Sequence, residues 1–231
     1  VLWQNLDRLL NYSDPHGSYA RDAVQKKFEK VEKHLGMVFH RYISGTTRNS
    51  RRKKVTIRVN GKSVRAWDPL CEAEKHSEPF DEAVFQVPNA DKPGMIPVHV
   101  NGTVLPRQEQ FSSAEAYSWA GDGSGKGWDS NFGFYFYRAD RIIDEAGWKG
   151  IWKLDPHFAL ARVTIDFNPG ADAEFKLDIA KCQVSIPGRI RPGLKDYAKY
   201  VRDAANNKRR IGEKPPDPPD PPDPPDPPDP P

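Results

Sequence analysis

Lys126 stands in GDGSGKG at 121–127, a run whose backbone N–H groups could cradle a phosphate. The frame fails. The glycine four residues before Gly125 is Gly121, one position short of GxxxxGK, and Lys126 precedes Gly127 rather than Ser or Thr. A flexible linker is the simpler reading. The six histidines include no HExxH and no close His/Asp grouping, and His34 and His40, six apart on a helix, face different ways. No metal site is expected. Cys71 and Cys182 form no CxxC pair, which argues against a disulfide framework and points to a reducing cytosol. No G-x-S-x-G elbow is present. Asn11-Tyr12-Ser13 and Asn101-Gly102-Thr103 match the glycosylation triplet, which carries no meaning in a cytosolic chain. No self-contained catalytic centre is legible.

Charge supplies the next candidates. The last 17 residues are Pro and Asp only, with five Asp, so the first 214 carry 35 basic and 27 acidic side chains, a net of +8. The basic residues gather at Arg48, Arg51, Arg52, Lys53 and Lys54, and again at Arg202, Lys208, Arg209 and Arg210. Both groups suit phosphates or nucleic acid, although neither is interleaved with aromatics.

The elements that must position these residues follow from periodicity. Val24, Phe28, Val31, Leu35, Val38 and Tyr42 recur at spacings of three and four, predicting a long helix with that stripe buried and an end at Ser44-Gly45-Thr46. Val55, Ile57 and Val59, then Asn60-Gly61, then Val64 and Trp67 predict a hairpin with a tight turn. Residues 71–94, acidic and with three prolines, read as an irregular excursion, and 106–131 as a mobile loop. Ile96, Val98 and Val100 predict a strand before Asn101-Gly102. Phe134 to Tyr137, a turn at 138–141 and Ile142-Ile143 predict a second hairpin. Val163, Ile165 and Phe167 predict another strand, and Phe175, Leu177 and Ile179 one more, with Val184 and Ile186 continuing beyond. Pro192 suits the first turn of a last helix bearing Leu194, Tyr197, Ala198 and Val201 on one face. The order is that of an α+β chain. A core of about 214 residues buries roughly 70% of its unfolded surface, so no disulfide staple is needed. No apolar run approaches the roughly 20 residues of a membrane span. The (PPD) repeat cannot pack and favours an extended polyproline II chain.

Residues 132–187 carry the most specific pattern. GFYFYRADRII, Gly133 to Ile143, is an aromatic strand, a polar turn and a second strand, and FKLDIAKCQVSIP places Lys181 between two apolar pieces. The pair resembles the transducer domain of GHKL ATPases of the MutL and MORC branch. Arg141-Ile142-Ile143 stands where that family has Arg-Leu-Ile, and Asp178-Ile179-Ala180-Lys181 where it has a lysine-bearing loop, without the family's His or Pro. HLGMVFHRYISG, VTIRVNGKSVRAWDP and LARVTIDF are similar to its neighbouring blocks, so the resemblance covers about 1–195.

The resemblance implies a ribosomal-protein S-five domain-two-like transducer fold, with a long N-terminal helix and a disordered Pro-Asp tail. It implies residues 1–18 as the exit segment of an ATPase domain, 19–211 as the transducer-like domain and 212–231 as the tail. The chain starts with Val and holds no DxGxG-like box, so the nucleotide pocket is expected upstream. ATP and Mg²⁺ are expected in the complete protein and not in this stretch. Lys181 is implied to contact the γ-phosphate, with Lys126 second, and Arg138, Asp140 and Arg141 to hold the domain interface. Arg51, Arg52, Lys53, Lys54, Lys208, Arg209 and Arg210 are the expected nucleic-acid contacts. The implied partners are the protein's own ATPase domain, a second copy in a homodimer, and DNA, in the cytoplasm with no membrane. Coupling of ATP hydrolysis to dimer closure in DNA-related processes or phage defence is the expected role. The alternative is a nucleic-acid-binding or protein-interaction module without ATPase coupling.

Overall fold

The computed structural model describes residue 14, residues 17–177 and residues 183–213. Lys181, most of the 1–18 segment and residues 214–231 of the expected tail lie outside them, as does Ile179 of the strand expected after Phe175, whereas residues 212 and 213, expected in the tail, belong to the last helix.

Helix α1 spans Ser18–Val38 and α2 spans His40–Ser44. The single periodic helix expected through Tyr42 is therefore broken at Phe39, whose φ of −110° and ψ of 18° leave the helical region. The break turns α2 so that His40 and Arg41 are buried. Gly45, at φ +84°, closes α2 in the left-handed region that glycine enters at no steric cost. The expected stripe on α1 is corrected. Val24, Phe28, Leu35 and Val38 are only half-buried and Val31 is 38% exposed, whereas Ala20, Gly36 and Met37 are buried. At Gly36 the 64–67 chain comes so close that an added Cβ would lie 2.4 Å from the Arg65 carbonyl, and Trp67 N–H donates to the Gly36 carbonyl at 3.0 Å.

Strands β1 (Arg58–Val59) and β2 (Lys62–Ser63) form the expected hairpin, with Asn60 and Gly61 both at positive φ. Strands β3 (Glu78–Pro79), β4 (Ala83–Pro88) and β5 (Met95–Val104) come next. Two of these replace the irregular excursion expected at 71–94. Pro79 and Pro88 are tolerated because β3 and β4 lie at the sheet edge, where a missing N–H costs no ladder bond. β5 runs straight through Asn101-Gly102, and Gly102 serves packing: an added Cβ would lie 2.4 Å from Val201 of the last helix.

The mobile loop expected at 106–131 is also corrected. It holds α3 (Ala114–Asp122), N-capped by the Ser113 hydroxyl accepting from Ala116 N–H at 3.0 Å. Strands β6 (Gly133–Arg138), β7 (Arg141–Glu145) and β8 (Ala161–Phe167) and helix α4 (Arg191–Glu213) complete the fold where periodicity placed them. Phe175 lies in a turn rather than a strand, its ring stacked 4.0 Å from that of Phe167.

The sheet is mixed, in the order β3-β5-β8-β6-β7, with β4 also on β5. The β6–β8 pairing is parallel and the others are antiparallel. The fold is a mixed α and β arrangement in which α4 lays Leu194, Ala198, Val201 and Ala205 on one sheet face, against Val98, Val100, Val163 and Ile165. No helix among the described residues is long and apolar enough to cross a membrane.

Candidate functional site

Strand β8 places the site. Every residue from Ala161 to Phe167 is buried, yet side chains alternate Arg162, Thr164, Asp166 against Val163, Ile165, Phe167. One face is the α4 core. The opposite face is polar and also covered. Register extends it sideways, since Thr164 lies opposite Asn101 and Tyr135, and Asp166 opposite His99 and Tyr137.

Helix α2 lowers two basic side chains onto that face. The Arg41 guanidinium forms a two-point pair with Asp166, with Nη2 donating to Oδ2 at 3.1 Å, and lies 3.7 Å from the centre of the Tyr137 ring. His40 Nε2 meets the Tyr137 hydroxyl at 2.7 Å. The Arg41 Nη1 also reaches Asp140 Oδ1 at 3.5 Å. Asp140 sits in the β6–β7 turn, where Ala139 and Asp140 both take positive φ. It accepts from Arg52 at 2.9 Å and from Arg48 N–H at 2.8 Å, while Arg52 also donates to the Ala139 carbonyl. Buried charges survive only when paired and hydrogen-bonded, and this network pairs them through two elements far apart in sequence.

The environment moves the titrations. Burial, then the Arg41 charge, pushes His40 down to about 3, so its imidazole is neutral. Burial holds the Tyr137 hydroxyl well above its usual range. Burial also raises Asp68 against the opposing pull of its two backbone N–H donors, Glu72 and Leu70, and burial with the Asp68 charge raises Glu72. Asp68, Glu72 and Arg41 line a cleft of about 740 Å³, together with Tyr137, Thr103 and Thr164 of the sheet.

The residues nominated from sequence are dispersed. Lys181 lies outside the described residues. Lys126 pairs with Glu145 at 2.8 Å. Arg138 is held by Asp172 at 2.7–3.0 Å, Asp140 is buried in the network above, and Arg141 is exposed. Of the expected interface trio, two are thus committed inside the domain. Arg51, Lys53 and Lys54 are exposed, whereas Arg52 is drawn into the Asp140 network. Lys208 is only 8% exposed and donates to the His76 carbonyl at 2.7 Å while pairing with Glu78 at 2.9 Å. Arg209 is half-buried and Arg210 exposed. Arg52 and Asp140, drawn from two separate candidate sets, are the pair that the fold brings together.

The glycine run around Lys126 accommodates rings. An added Cβ at Gly121 would strike the Trp128 indole at 2.3 Å, and one at Gly123 the Trp67 indole at 2.2 Å. Nothing among the described residues there fits a triphosphate, and no group of three or more His, Cys, Asp or Glu side chains among them could hold a metal ion. Sequence reasoning missed His40, Arg41, Tyr137 and Asp166. The available signal was the polar half of the β8 alternation, which reads equally as a solvated face. Comparisons with known protein families, with curated proteins and with solved structures gave no match to this chain.

Proposed function

We propose that this chain is the transducer part of a GHKL-type ATP-binding protein, with a ribosomal-protein S-five domain-two-like fold, coupling nucleotide state in a neighbouring domain to conformational change or dimer closure. One observation carries the reading. Asp144 of the β6–β7 hairpin and Val184 are 40 residues apart in sequence, yet the two meet. Val184 N–H donates to Asp144 Oδ2 at 2.9 Å and Ser185 N–H to the Phe175 carbonyl at 2.9 Å. Phe175 and Val184-Ser185, described residues on either side of 178–182, are thus bonded to each other, and Val184 to Asp144 of β7. A transducer lysine needs a loop anchored to its domain to report on a terminal phosphate, and these two bonds support that reading. ATP with Mg²⁺ would be held by the neighbouring domain and not by these residues.

Steady-state ATP turnover of the complete protein tests this. Lys181→Ala is expected to cut turnover by about 10²–10³ with a modest loss of nucleotide affinity, since a charge aimed at the transition state acts mainly there. Lys181→Arg rescues poorly, because a broad planar guanidinium replaces a compact charge. Lys126→Ala stays within a few-fold of wild type. Wild-type turnover in Lys181→Ala overturns the proposal.

A second reading, a nucleic-acid-binding surface, rests on a different observation. Arg51, Lys53, Lys54, Arg58 and Lys62 are exposed and have no ion-pair partner among the described residues. Salt-sensitive duplex binding by this chain, lost when these five are neutralised, favours that reading.

A further inference from the structure

We propose that Arg162 anchors a carboxylate ligand beneath the Trp128 indole. Arg162 is fully buried on the polar face of β8. Its Nη1 is spent on the Ala159 carbonyl at 2.6 Å and the Ala161 carbonyl at 3.2 Å. Its Nε and Nη2 are buried with no hydrogen-bond partner among the described residues. A guanidinium does not shed its proton, so this is a charge taken out of water without a counter-charge. Nothing described nearby supplies one. The cross-strand neighbours are Thr103 on β5 and Gly133 on β6. The ionisable groups that act on it are Tyr135 and Cys71. Burial raises the Tyr135 hydroxyl above its usual range and pushes the Cys71 thiol up to about 12, so both stay protonated at neutral pH.

The free edge selects the ligand. Nε and Nη2 lie on one edge of the guanidinium plane, and their parallel N–H bonds match the two oxygens of a carboxylate. A carboxylate also sets one negative charge against one positive charge, whereas a phosphate dianion would leave a net negative charge buried. A third unpaired donor marks the way in. The Trp128 ring lies over the guanidinium, with 6.0 Å from its centre to Cζ, and its Nε1 is buried without a partner among the described residues. The Trp128 side chain is otherwise half-exposed. Swinging the indole outward would give Nε1 to water and uncover the Arg162 edge in one movement. The Tyr117 ring stacks 4.7 Å from that of Trp128, and the Phe111 ring stands 5.9 Å from it. Both also line a surface pocket of about 450 Å³, which suits an apolar or aromatic stem carrying the carboxylate.

The site uses no residue of the ATPase reading and its test needs no nucleotide, so either can fail alone. Thermal shift and calorimetry on this chain would use acetate, benzoate, a blocked prolyl-aspartyl peptide, chloride and inorganic phosphate at matched ionic strength. The carboxylates are expected to raise the melting temperature, benzoate more than acetate, and chloride and phosphate to do so less. Tighter binding of the peptide than of benzoate assigns the carboxylate to a protein segment; the reverse assigns it to a small organic acid. Arg162→Lys keeps the charge without the two-donor edge and should weaken carboxylate binding at least about tenfold. Arg162→Met should abolish it. Trp128→Ala, which removes the cover and leaves Arg162 in place, should speed association. No shift of the wild-type chain with any carboxylate leaves the two N–H groups to water and overturns the proposal, whatever the variants do. An equal response to chloride or phosphate, or unchanged carboxylate binding in Arg162→Lys, overturns it as well.

Discussion

The two faces of the sheet bury similar depths of side chain by opposite means. On the α4 side, Val163, Ile165, Leu194 and Val201 exclude water with apolar surface. Even the cation there is held by rings, with the Arg202 guanidinium 3.9 Å from the Phe158 ring centre and 4.1 Å from that of Trp152. On the α2 side, Arg41, Asp166 and Asp140 are buried as charges, with the half-buried Arg52 beside them, and must neutralise one another. Apolar contact is tolerant of small shifts. A charge network is not, since removing one member strands the others. The first face therefore supplies stability, and the second fixes how α2, the 66–80 segment and the β6–β7 turn sit together.

The largest effect should come from stranding a charge. Asp166→Ala leaves Arg41 under-compensated and is expected to cost about 3–5 kcal/mol, while Arg41→Met/Asp166→Leu together should recover most of it. Urea melts of the two single variants and the double variant decide this, and strictly additive losses would break the contrast between the faces. On the apolar side Leu194→Ala should cost about 2–5 kcal/mol, with no partner substitution able to restore it. Phe28→Ala on α1, where the ring is only half-buried, should cost less than half as much.

A smaller effect is tied to pH. The folded-state pKa of His40, about 3, lies below the unfolded value of 6.5. The unfolded chain therefore binds the extra proton between those limits, and stability falls as pH drops from 6.5 towards 3. The slope contributed is at most about 1.4 kcal/mol per pH unit. Asp68, shifted upward, acts with the opposite sign, so the quantity to read is the difference between wild type and His40→Gln. An identical acid dependence in both would show that the imidazole is not buried neutral. The smallest effect belongs to the surface. Arg51→Gln and Lys53→Gln should each stay within about 0.5 kcal/mol of wild type in melting experiments.

The legible parts of the fold were those whose signal is local. Asn60-Gly61 names its own turn, the aromatic run at 134–137 its strand, and Leu194, Tyr197, Ala198 and Val201 their helix face. Strands β3 and β4 were hidden by Pro79 and Pro88, which speak against a central strand but not against an edge. Helix α3 was hidden by the glycines that follow it, although Ser113 before Ala114-Glu115 was a readable cap. The α1 stripe misled because period reports which residues share a face, not how fully a neighbour covers it.

For the site, the nominations followed charge clusters, and the fold divided them. Arg52 left the basic run to join Asp140, and Lys208 turned inward to Glu78 and the His76 carbonyl, while Arg51, Lys53 and Lys54 stayed in solvent. What the sequence by itself determined was the order of elements, the two hairpins, the apolar half of β8 and the excess of positive charge. Only the tertiary structure decided that the polar half of β8 is covered, and that His40 and Arg41 descend on Tyr137 and Asp166. The physical reason is range. Backbone propensity and side-chain period act within a few residues, whereas a buried ion pair exists only once residues 125 positions apart stand within hydrogen-bond distance.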